Sequence, residues 1–347
     1  MKKILIFHTS IPPYRIDLFN QLSQTFNLKV VITGSSKHIQ KLGFDTYKIA
    51  EQALFTPEWH TQGIYLGNHL LSFIYFKRII TFRPDIVWCQ ELGINTLASI
   101  LLKTFFNFKI VTFIDDSPAM LSQYSIVRKL LRKFVYKYID TVFVVHKLVE
   151  EELKKLFPKT QFYYLPIIQN ELSFKNKLIS SSEIVKRNIT KYNLSSKYVF
   201  LFVGRLEEVK QPQLLLQAFN KVQLSNCLLV FIGNGGLLEE LKEYITNNKL
   251  DDKVLLLGKL EGKELYSWFW IADTLVLPSK YEPFGAVVNE ALLAGCKVII
   301  SDKVGASTLV DSTNGSIFKY NEIDELGNLL KSYSKTDKKR IQAVKWP

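Results

Sequence analysis

The sequence contains little cysteine. Its 347 residues include three cysteines, which lie far apart in the chain: Cys89, Cys227 and Cys296. An odd number of cysteines without metal-ligand spacing argues against a disulfide framework and against a cysteine-based metal site. This cysteine usage predicts a protein of a reducing compartment such as the cytoplasm.

Long hydrophobic runs are also missing. The most apolar long stretch, residues 94–114, is interrupted by Lys103, Asn107 and Lys109, whereas a membrane-spanning helix needs roughly 20 predominantly apolar residues. At the N-terminus, the apolar run of MKKILIFHTS is only a few residues long and ends at His8. We interpret it as a buried first strand and not as a signal peptide. The sequence therefore predicts no transmembrane helix.

The sequence also lacks low-complexity segments, internal repeats of short period and clusters of residues with metal-ligand spacing. Apolar residues make up 47% of the chain and charged residues 22%, close to the average for globular proteins, which excludes a disordered or fibrous chain. A chain of this length predicts two domains, each able to bury its own core.

Negative charge is scarce relative to positive charge. The formal net charge is +13, of which residues 1–170 carry +9 and the remainder +4. Such a surplus favours an anionic partner, for which nucleic acid, anionic lipid and phosphorylated substrates are candidates. The basic residues are not organised around a motif that reads DNA or RNA, so we do not expect a nucleic-acid partner.

The chain does contain a regular alternation of strand-length apolar runs and helical patterns. In the first half the apolar runs are KILIF, LKVVITG, DIVWC, KIVTFID and TVFVVH. The alternation pauses at residues 165–170, passes through a polar stretch rich in Lys, Asn and Ser, and restarts at YVFLFVG. This order predicts an α/β protein of two doubly wound, Rossmann-like domains, residues 1–167 and 168–347, facing each other across a cleft. Ligand-binding residues are then expected in the loops that follow strands.

The first candidate loop is VGRLEEVKQP. Gly204 and Arg205 follow a predicted strand directly, and Lys210 precedes a helix opened by Pro212. Two cations on one loop suit a diphosphate, because Arg can bind two oxygens at once and Lys acts as a point charge. A basic loop on a solvated surface is the alternative, and this segment alone does not choose between them.

A second loop is rich in glycine. Gly233, Asn234, Gly235 and Gly236 follow the run LLVFI. Glycines let a ligand approach the backbone closely and leave amide donors free for phosphate or base. Taken alone, this turn is more often only a tight connection.

The strongest candidate segment is LPSKYEPFGAVVNEALLAGCKVIISD. Glu282 lies in a loop after a strand, and Glu290 lies about a turn into a helix predicted over residues 286–293. Carboxylates accept hydrogen bonds from sugar and ribose hydroxyls, and the free amides at the start of the helix suit a phosphate. A solvated loop acid and a helix-surface acid are the structural alternative. Because a carboxylate among apolar neighbours is costly to bury without a partner, Glu290 favours the functional interpretation.

These segments, with IGNGG, LGKL, VGASTLV and NGSIF in the same order and spacing, resemble the retaining glycosyltransferases of family 4, which have the GT-B fold. The resemblance covers most of residues 198–330. It implies a donor diphosphate on Arg205 and Lys210, sugar hydroxyls on Glu282, ribose on Glu290, and loops at Gly233 and Leu260 beside the base. The donor-binding residues implied are Gly204, Arg205, Lys210, Gly233, Asn234, Gly235, Leu260, Glu282, Pro283, Phe284, Gly285, Ala286, Val287 and Glu290.

The N-terminal half matches the family less well. Where many members have a paired-glycine loop after the first strand, this chain has HTSIPPYRIDLFN, and where many carry a histidine near the reacting sugar it has Asp115 and Asp116. Either Asp could bind the acceptor or stabilise an oxocarbenium-like transition state, as Glu282 would from the donor side. Asp-Asp-Ser-Pro could equally be a capped helix start. His8 and His146 also end strands, although a lone histidine there is more often structural.

The resemblance also bears on the C-terminus and on metals. Family members usually end in a helix that crosses back to the N-terminal domain, so IQAVKWP is either a shortened form of that helix or precedes it. The sequence has no paired-Asp motif that would hold Mg²⁺ with a diphosphate, so leaving-group charge would fall to cations and backbone amides. We therefore expect no metal and no other cofactor.

Residues 126–139 form a basic amphipathic pattern. On a helical projection Arg128, Lys129, Arg132, Lys133 and Lys137 share one half, and the other half holds Val127, Leu130, Leu131, Phe134 and Tyr138. Either the apolar half packs on its own sheet and the basic half is simply solvated, or the basic half contacts an anionic membrane.

Together these features predict a metal-independent hexosyltransferase. It would move a hexose-type sugar from a UDP- or GDP-sugar to a glycan or lipid-linked acceptor in cell-surface polysaccharide synthesis, in the cytoplasm or peripherally at the membrane. One alternative is a nucleotide-sugar epimerase of the same fold. Another is a non-catalytic, basic protein that binds membrane surfaces or nucleic acid.

Overall fold

A computed structural model describes residues 1–40, 45–66 and 69–336. The terminal segment IQAVKWP lies outside the described residues. The chain divides into two compact units, residues 1–167 and 168–347, the same division as drawn from the sequence. No helix in the described ranges combines the length and the apolar character that crossing a membrane requires.

The first unit is a parallel sheet with crossover helices. Its elements are β1 Lys3–His8, α1 Ile16–Thr25, β2 Asn27–Ile32, α2 Ser36–Gln40, α3 Thr46–Ala50, β3 Glu58–Trp59, β4 Ile64–Leu66, β5 His69–Leu71, α4 Ile74–Phe82, β6 Ile86–Gln90, α5 Ile94–Lys103, β7 Lys109–Ile114, α6 Pro118–Ser122, α7 Ile126–Val135, β8 Thr141–Val144, α8 Lys147–Leu156 and β9 Gln161–Tyr164. Seven of the described strands pair in the order β3-β2-β1-β6-β7-β8-β9, all parallel, and β4 and β5 form a separate hairpin.

The second unit is also doubly wound. Its elements are α9 Glu171–Ile179, α10 Ser182–Lys191, β10 Tyr198–Val203, α11 Pro212–Lys221, β11 Cys227–Ile232, α12 Leu238–Asn247, β12 Val254–Leu256, α13 Gly262–Ile271, β13 Thr274–Leu277, α14 Ala286–Leu293, β14 Lys297–Ser301, β15 Gly315–Phe318 and α15 Ile323–Tyr333. Its described strands form a parallel six-stranded sheet in the order β12-β11-β10-β13-β14-β15.

Each sheet is buried by apolar residues on both faces, as parallel sheets require. Every residue of β10 and β11 is buried. In the first unit, one core joins the sheet to α4, α5, α7 and α8, and another packs α1 on the opposite face. The predicted Rossmann-like architecture is confirmed for each unit.

The polar stretch between the two alternating patterns is helical. It forms α9 and α10, which pack on α13: the Phe174 ring meets the Tyr266 ring edge-on at 5.6 Å, and Asn188 Nδ2 donates to Ser267 Oγ over 3.3 Å. An ion pair of 2.8 Å between Arg187 and Glu264 closes the outer side of this contact. The helices are anchored by a few side chains only, which is why the sequence pattern did not reveal them.

Helix α7 differs from its prediction in two ways. Arg132 does not lie on a wet basic face but is 4% exposed and packs inward with Val135 and Tyr136. The apolar residues do not pack on the sheet either, because Leu130 and Phe134 are 61% and 48% exposed. The interpretation of α7 as a helix with a buried apolar half is therefore wrong.

Candidate active site

In the first unit, the loop after β7 holds Asp115 beside Arg15. Arg15 is buried, lies over the Phe113 ring at 3.6 Å from its centroid, and donates from Nη2 to Asp115 Oδ1 over 2.7 Å. The Asp115 side chain is 44% exposed. The loop HTSIPPYR thus supplies a cation to a carboxylate that solvent, or a solute, can reach.

Asp116 has a different environment. It is buried. Its carboxyl group accepts hydrogen bonds from the Tyr124 hydroxyl and from Arg132 Nη2, the latter over 3.1 Å. Arg132 also donates from Nη2 to Glu91 Oε2 over 2.7 Å, and Glu91 accepts from the Tyr136 hydroxyl. Because both oxygens of Asp116 are bonded within the protein, it suits the positioning of the loop better than contact with a substrate.

The helix-start interpretation of Asp-Asp-Ser-Pro is confirmed. Ser117 is the N-cap of α6, its side chain accepts from the Met120 amide, and Pro118 is the first helical residue. This local structure leaves Asp115 free of a capping role. The functional interpretation of Asp115 stays a prediction.

Both histidines have structural contacts. His8 Nδ1 accepts from the Ser10 amide over 3.2 Å, and His146 Nδ1 caps α8 by accepting from the Leu148 amide over 3.2 Å. Burial lowers the pKa of each imidazole to about 4, and for His8 the charge of Arg15 acts in the same direction. Both rings are neutral at pH 7.

In the second unit, the loops after β10, β11, β12 and β13 meet at the carboxyl edge of the sheet. Strand β10 lies between β11 and β13: strands β11 and β12 continue the sheet on one side of it, and strands β13 to β15 on the other. The strand order therefore reverses at β10. Ligands of doubly wound sheets bind at such a switch point. Four segments named from the sequence converge here.

The centre of this edge is an ion pair between Lys210 and Glu282. Lys210 ends a short 3-10 turn, Glu208–Lys210, and its Nζ contacts Glu282 Oε2. Both side chains are mostly buried, with exposures of 16% and 14%. Burial and the nearby charge of Arg205 lower the pKa of Lys210 to about 8, and the charge of Glu207 acts in the opposite direction.

Arg205 lies at the mouth of the same loop. Its side chain is 65% exposed and pairs with Glu207, the Nη1 to Oε2 distance being 2.7 Å. Gly204 continues the strand by donating its amide to Ile232 O over 3.0 Å. An exposed guanidinium beside a buried ammonium presents two positive charges to an anion of the size of a diphosphate.

The glycine-rich turn packs directly on this loop. The backbone of Gly233 has φ +146°, and a Cβ there would lie 1.8 Å from Gly204 O. The Leu206 amide donates to Asn234 O over 3.0 Å, and the Gly233 amide donates to Gly258 O over 2.8 Å. These contacts bring the loop that contains Leu260 alongside, and a Cβ at Gly235 would lie 2.3 Å from Leu206 O.

Glu282 is held by the loop after β14. Its amide donates to Lys303 O over 3.1 Å and its carbonyl accepts from the Gly305 amide over 3.0 Å. Pro283 is half-buried, and buried Phe284 accepts from the Ala306 amide over 2.7 Å. The Glu282 backbone is therefore fixed where its carboxylate meets Lys210.

Gly285 turns this loop into α14. Its φ of +89° is left-handed, and a Cβ would lie 3.1 Å from side-chain atoms of Leu277 and Val304. Ala286 and Val287 follow as the first two residues of the helix, so their amides have no acceptor within the helix. The predicted bounds of α14 are confirmed.

Glu290 is one turn into α14 and has a partner outside the motif. Its Oε1 accepts from Gln169 Nε2, and the Gln169 amide donates to Asn289 Oδ1 over 2.8 Å. Lys177 Nζ donates to Gln169 Oε1 over 3.4 Å. Burial raises the pKa of Glu290 to about 7, against the opposing effects of Lys177 and the Gln169 hydrogen bond.

The sequence of this unit matches a described family. Residues 185–345 match the model of the family Glycosyl transferases group 1. This part of the chain is similar to glycosyl transferases group 1. The match begins in α10 and includes every segment of the carboxyl edge described above.

Individual relatives give the same result over longer stretches. The uncharacterized glycosyltransferase MJ1059 of Methanocaldococcus jannaschii is 29% identical over 244 residues, 65% of this chain and 57% of the relative. The N-acetylgalactosamine-N,N'-diacetylbacillosaminyl-diphospho-undecaprenol 4-alpha-N-acetylgalactosaminyltransferase of Campylobacter jejuni is 28% identical over 221 residues, 62% of this chain and 56% of the relative. The chain thus spans less than three fifths of the length of each.

Solved structures resemble the whole chain. Anabaena HepE in complex with UDP has a TM-score of 0.76 at 17% identity, with 96% of this chain and 89% of that chain covered. Sucrose-phosphate synthase of Thermosynechococcus elongatus has a TM-score of 0.68 at 16% identity, with 97% and 92% covered. The fold of the chain is GT-B.

The sequence analysis missed three residues of the two candidate sites. They are Arg15 beside Asp115 in the first unit, and Gln169 and Lys177 beside Glu290 in the second. Arg15 was part of a loop noted only for its lack of glycines, and Gln169 lay in residues 165–170, where the alternation of strands and helices pauses. A buried carboxylate such as Glu290 requires a donor, and that requirement was the only sequence signal for Gln169. Across the described residues, no group of three His, Cys, Asp or Glu side chains is placed to hold a metal ion.

Proposed function

We propose that the chain is a retaining glycosyltransferase of family 4, which moves a hexose-type sugar from a UDP- or GDP-sugar to a glycan or lipid-linked acceptor. We include in this proposal a role in cell-surface polysaccharide synthesis in the cytoplasm. The family match of residues 185–345 supports the reaction class. The acceptor class is supported by the printed name of the Campylobacter jejuni relative, which includes diphospho-undecaprenol. UDP as donor nucleotide is supported by HepE, which was solved with UDP and with UDP-glucose.

The observation that carries the proposal is the Lys210–Glu282 pair beside Arg205 at the switch point. A diphosphate placed there would receive the charge of both cations and the free amides at the start of α14. As the bond between sugar and diphosphate breaks, negative charge grows on the departing oxygen, and these groups would stabilise it without rearranging. Glu282, fixed by the loop after β14, would accept hydrogen bonds from the transferred sugar.

On the first unit, Asp115 is the residue that we propose for contact with the acceptor or with the reacting sugar. Its carboxylate is partly exposed and its orientation is set by Arg15. We assign Asp116 to positioning, because Tyr124 and Arg132 occupy its oxygens.

Nucleotide binding tests the proposal, and Glu290 provides the matched variant. A thermal-shift screen with UDP, GDP, ADP and CMP and their sugar conjugates should give a clear shift with one nucleoside diphosphate. Glu290→Ala should weaken that affinity about 10- to 100-fold, the loss of charge-assisted hydrogen bonds to ribose. A nucleotide that binds both proteins equally would remove Glu290 from the site, and no shift with any nucleotide would contradict donor binding.

The same residue predicts a pH dependence. The pKa of Glu290 is about 7, so its carboxylate, the form that accepts from both ribose hydroxyls, is lost as the pH falls through 7. Nucleotide affinity of the wild type should therefore fall between pH 8 and pH 6, by up to about tenfold per unit. Glu290→Gln has no titrating group at this position and should show a flatter profile. Parallel profiles for the two proteins, measured by calorimetry, would refute this assignment.

We also propose that transfer needs no metal ion, because Arg205, Lys210 and the α14 amides supply the positive charge that the leaving group requires. Turnover should be unchanged by EDTA and should not rise on addition of Mg²⁺ or Mn²⁺. A loss of activity in EDTA that Mg²⁺ restores would contradict this part of the proposal.

The two alternatives give different results in simple assays. An epimerase of the same fold would consume the nucleotide sugar without any acceptor. A non-catalytic basic protein would have no nucleotide-sugar affinity and would bind its anionic partner with a steep salt dependence.

A further inference from the structure

The outward side of α7 is covered by exposed apolar side chains. They are Ile126, Val127, Leu130, Leu131 and Phe134, followed by Tyr138 just beyond the helix, and each is between 42% and 76% exposed. Large apolar groups normally face the core of a globular protein or a partner. This helix instead directs Arg132, Val135 and Tyr136 inward.

Helix α5 extends the same surface. Leu97, Leu101 and Phe105 are spaced four residues apart and are 50%, 60% and 78% exposed. The two helices pack on one face of the sheet, because their inner residues share a single core. The end of α5 also contacts the segment after α7, since Lys103 Nζ donates to Tyr138 O over 3.0 Å. We call these nine exposed side chains the apolar face; Phe105 and Tyr138 lie just beyond the ends of α5 and α7.

Positive charge surrounds the α7 part of the apolar face. Arg128, Lys129, Lys133 and Lys137 are exposed, and residues 117–139 contain no Asp or Glu. The stretch 92–114, which includes α5, also has no acidic residue. A protein surface complementary to this one would need both an apolar patch and a dense ring of negative charge.

A bilayer with anionic headgroups meets both requirements. Its acyl boundary accepts apolar side chains, and its surface potential attracts lysine and arginine within about a Debye length. We infer that α5 and α7 dock the protein on an anionic membrane, with the apolar face in the headgroup boundary and the lysines of α7 on the headgroup phosphates. This inference corrects the earlier membrane prediction, because Arg132 is withdrawn from the surface and α5 is added to it. It does not rest on the proposed donor chemistry.

Vesicle flotation with the full chain tests the inference. The wild type should float with vesicles of phosphatidylcholine and phosphatidylglycerol and much less with phosphatidylcholine alone. Replacing the three lysines, as Lys129→Gln/Lys133→Gln/Lys137→Gln, should weaken partitioning to the anionic vesicles on the order of 100-fold. The apolar variant Leu130→Asn/Phe134→Asn should lose flotation while remaining folded, because both side chains are exposed.

Matched controls come from the second unit. Lys249→Gln/Lys263→Gln/Lys331→Gln removes three exposed lysines, and Leu172→Asn/Ile179→Asn removes two exposed apolar side chains. Both should float like the wild type. Equal flotation on neutral and anionic vesicles, or control variants that behave like the α7 variants, would overturn the inference.

A second outcome would also overturn it. If light scattering found a dimer that dissociates in Leu130→Asn/Phe134→Asn, and no flotation occurred, the apolar face would be covered by another copy of the chain. The thermal shift with the donor nucleotide should be the same in all variants. A failure of the membrane inference would leave that shift intact, whereas a failure of the proposed function would remove it from the wild type too.

Discussion

Lys210→Ala should lower turnover about 10²- to 10³-fold while changing the stability of the fold by less than about 2 kcal/mol. The kinetic loss is expected because the ammonium would bind most strongly to the charge that develops on the departing diphosphate. Such an interaction is made in the transition state, so kcat should fall more than KM changes.

The small change in stability follows from the surroundings of Lys210. Burial and the charge of Arg205 oppose the ammonium and lower its pKa to about 8. Removing Lys210 leaves the Glu282 carboxylate without its partner, which costs about 3–5 kcal/mol in a fully buried pair. Here the carboxylate is 14% exposed and can be hydrated, and the unfavourable burial of Lys210 is relieved, so the net change should be smaller.

Two variants serve as controls for this prediction. Lys280→Ala removes an exposed lysine from the loop of Glu282 and should retain wild-type turnover, while Lys210→Arg keeps the charge and should be less impaired than Lys210→Ala. Donor turnover and denaturant midpoints measured together decide the matter. A Lys210→Ala enzyme within threefold of wild type would mean that the diphosphate is held elsewhere.

Gly233→Ala should destabilise the second unit and weaken donor binding together. The left-handed φ of +146° costs a residue with a Cβ about 1–3 kcal/mol, and the added atom would lie 1.8 Å from Gly204 O. The loop of Gly204 and Arg205 must move to relieve this contact, so the diphosphate site moves with it.

Gly236→Ala is the matched control, three residues along the same turn. A Cβ at Gly236 meets no atom within 4 Å, so this variant should stay within about 0.5 kcal/mol of the wild type. Urea unfolding and nucleotide affinity are the measurements. If Gly233→Ala matched Gly236→Ala in both, the close contact between the two loops would have no energetic importance.

The parts of the fold that the sequence predicted well have strong local signals. Strand β10 is a continuous apolar run, YVFLFV, and all of it is buried. Helix α14 begins where Gly285 takes a left-handed conformation, which only a glycine adopts without strain. In contrast, α9 and α10 are mostly polar and are fixed by a few contacts with α13, so their sequence resembles a linker.

Long-range pairing limited prediction of the site. Lys210 and Glu282 were each identified from the sequence, but their direct contact joins residues 72 positions apart. Gln169 could not be assigned to Glu290 for the same reason. The inward turn of Arg132 was missed because a helical projection places charge on the outside. A helical projection has no information on Glu91 and Asp116, the buried carboxylates with which the Arg132 guanidinium forms ion pairs.

The contacts of Arg132 connect two features of the first unit. Its guanidinium reaches from α7 to Glu91 after β6 and to Asp116 after β7, and Asp115 is the residue immediately before Asp116. A tilt or axial shift of α7 would separate this buried guanidinium from its carboxylates. The separation would be unfavourable, because the buried charges would not be hydrated in exchange. The ion pairs of Arg132 therefore tie α7 to the loops after β6 and β7. We expect a displacement of α7, such as one caused by a docking surface, to displace the loop that carries Asp115.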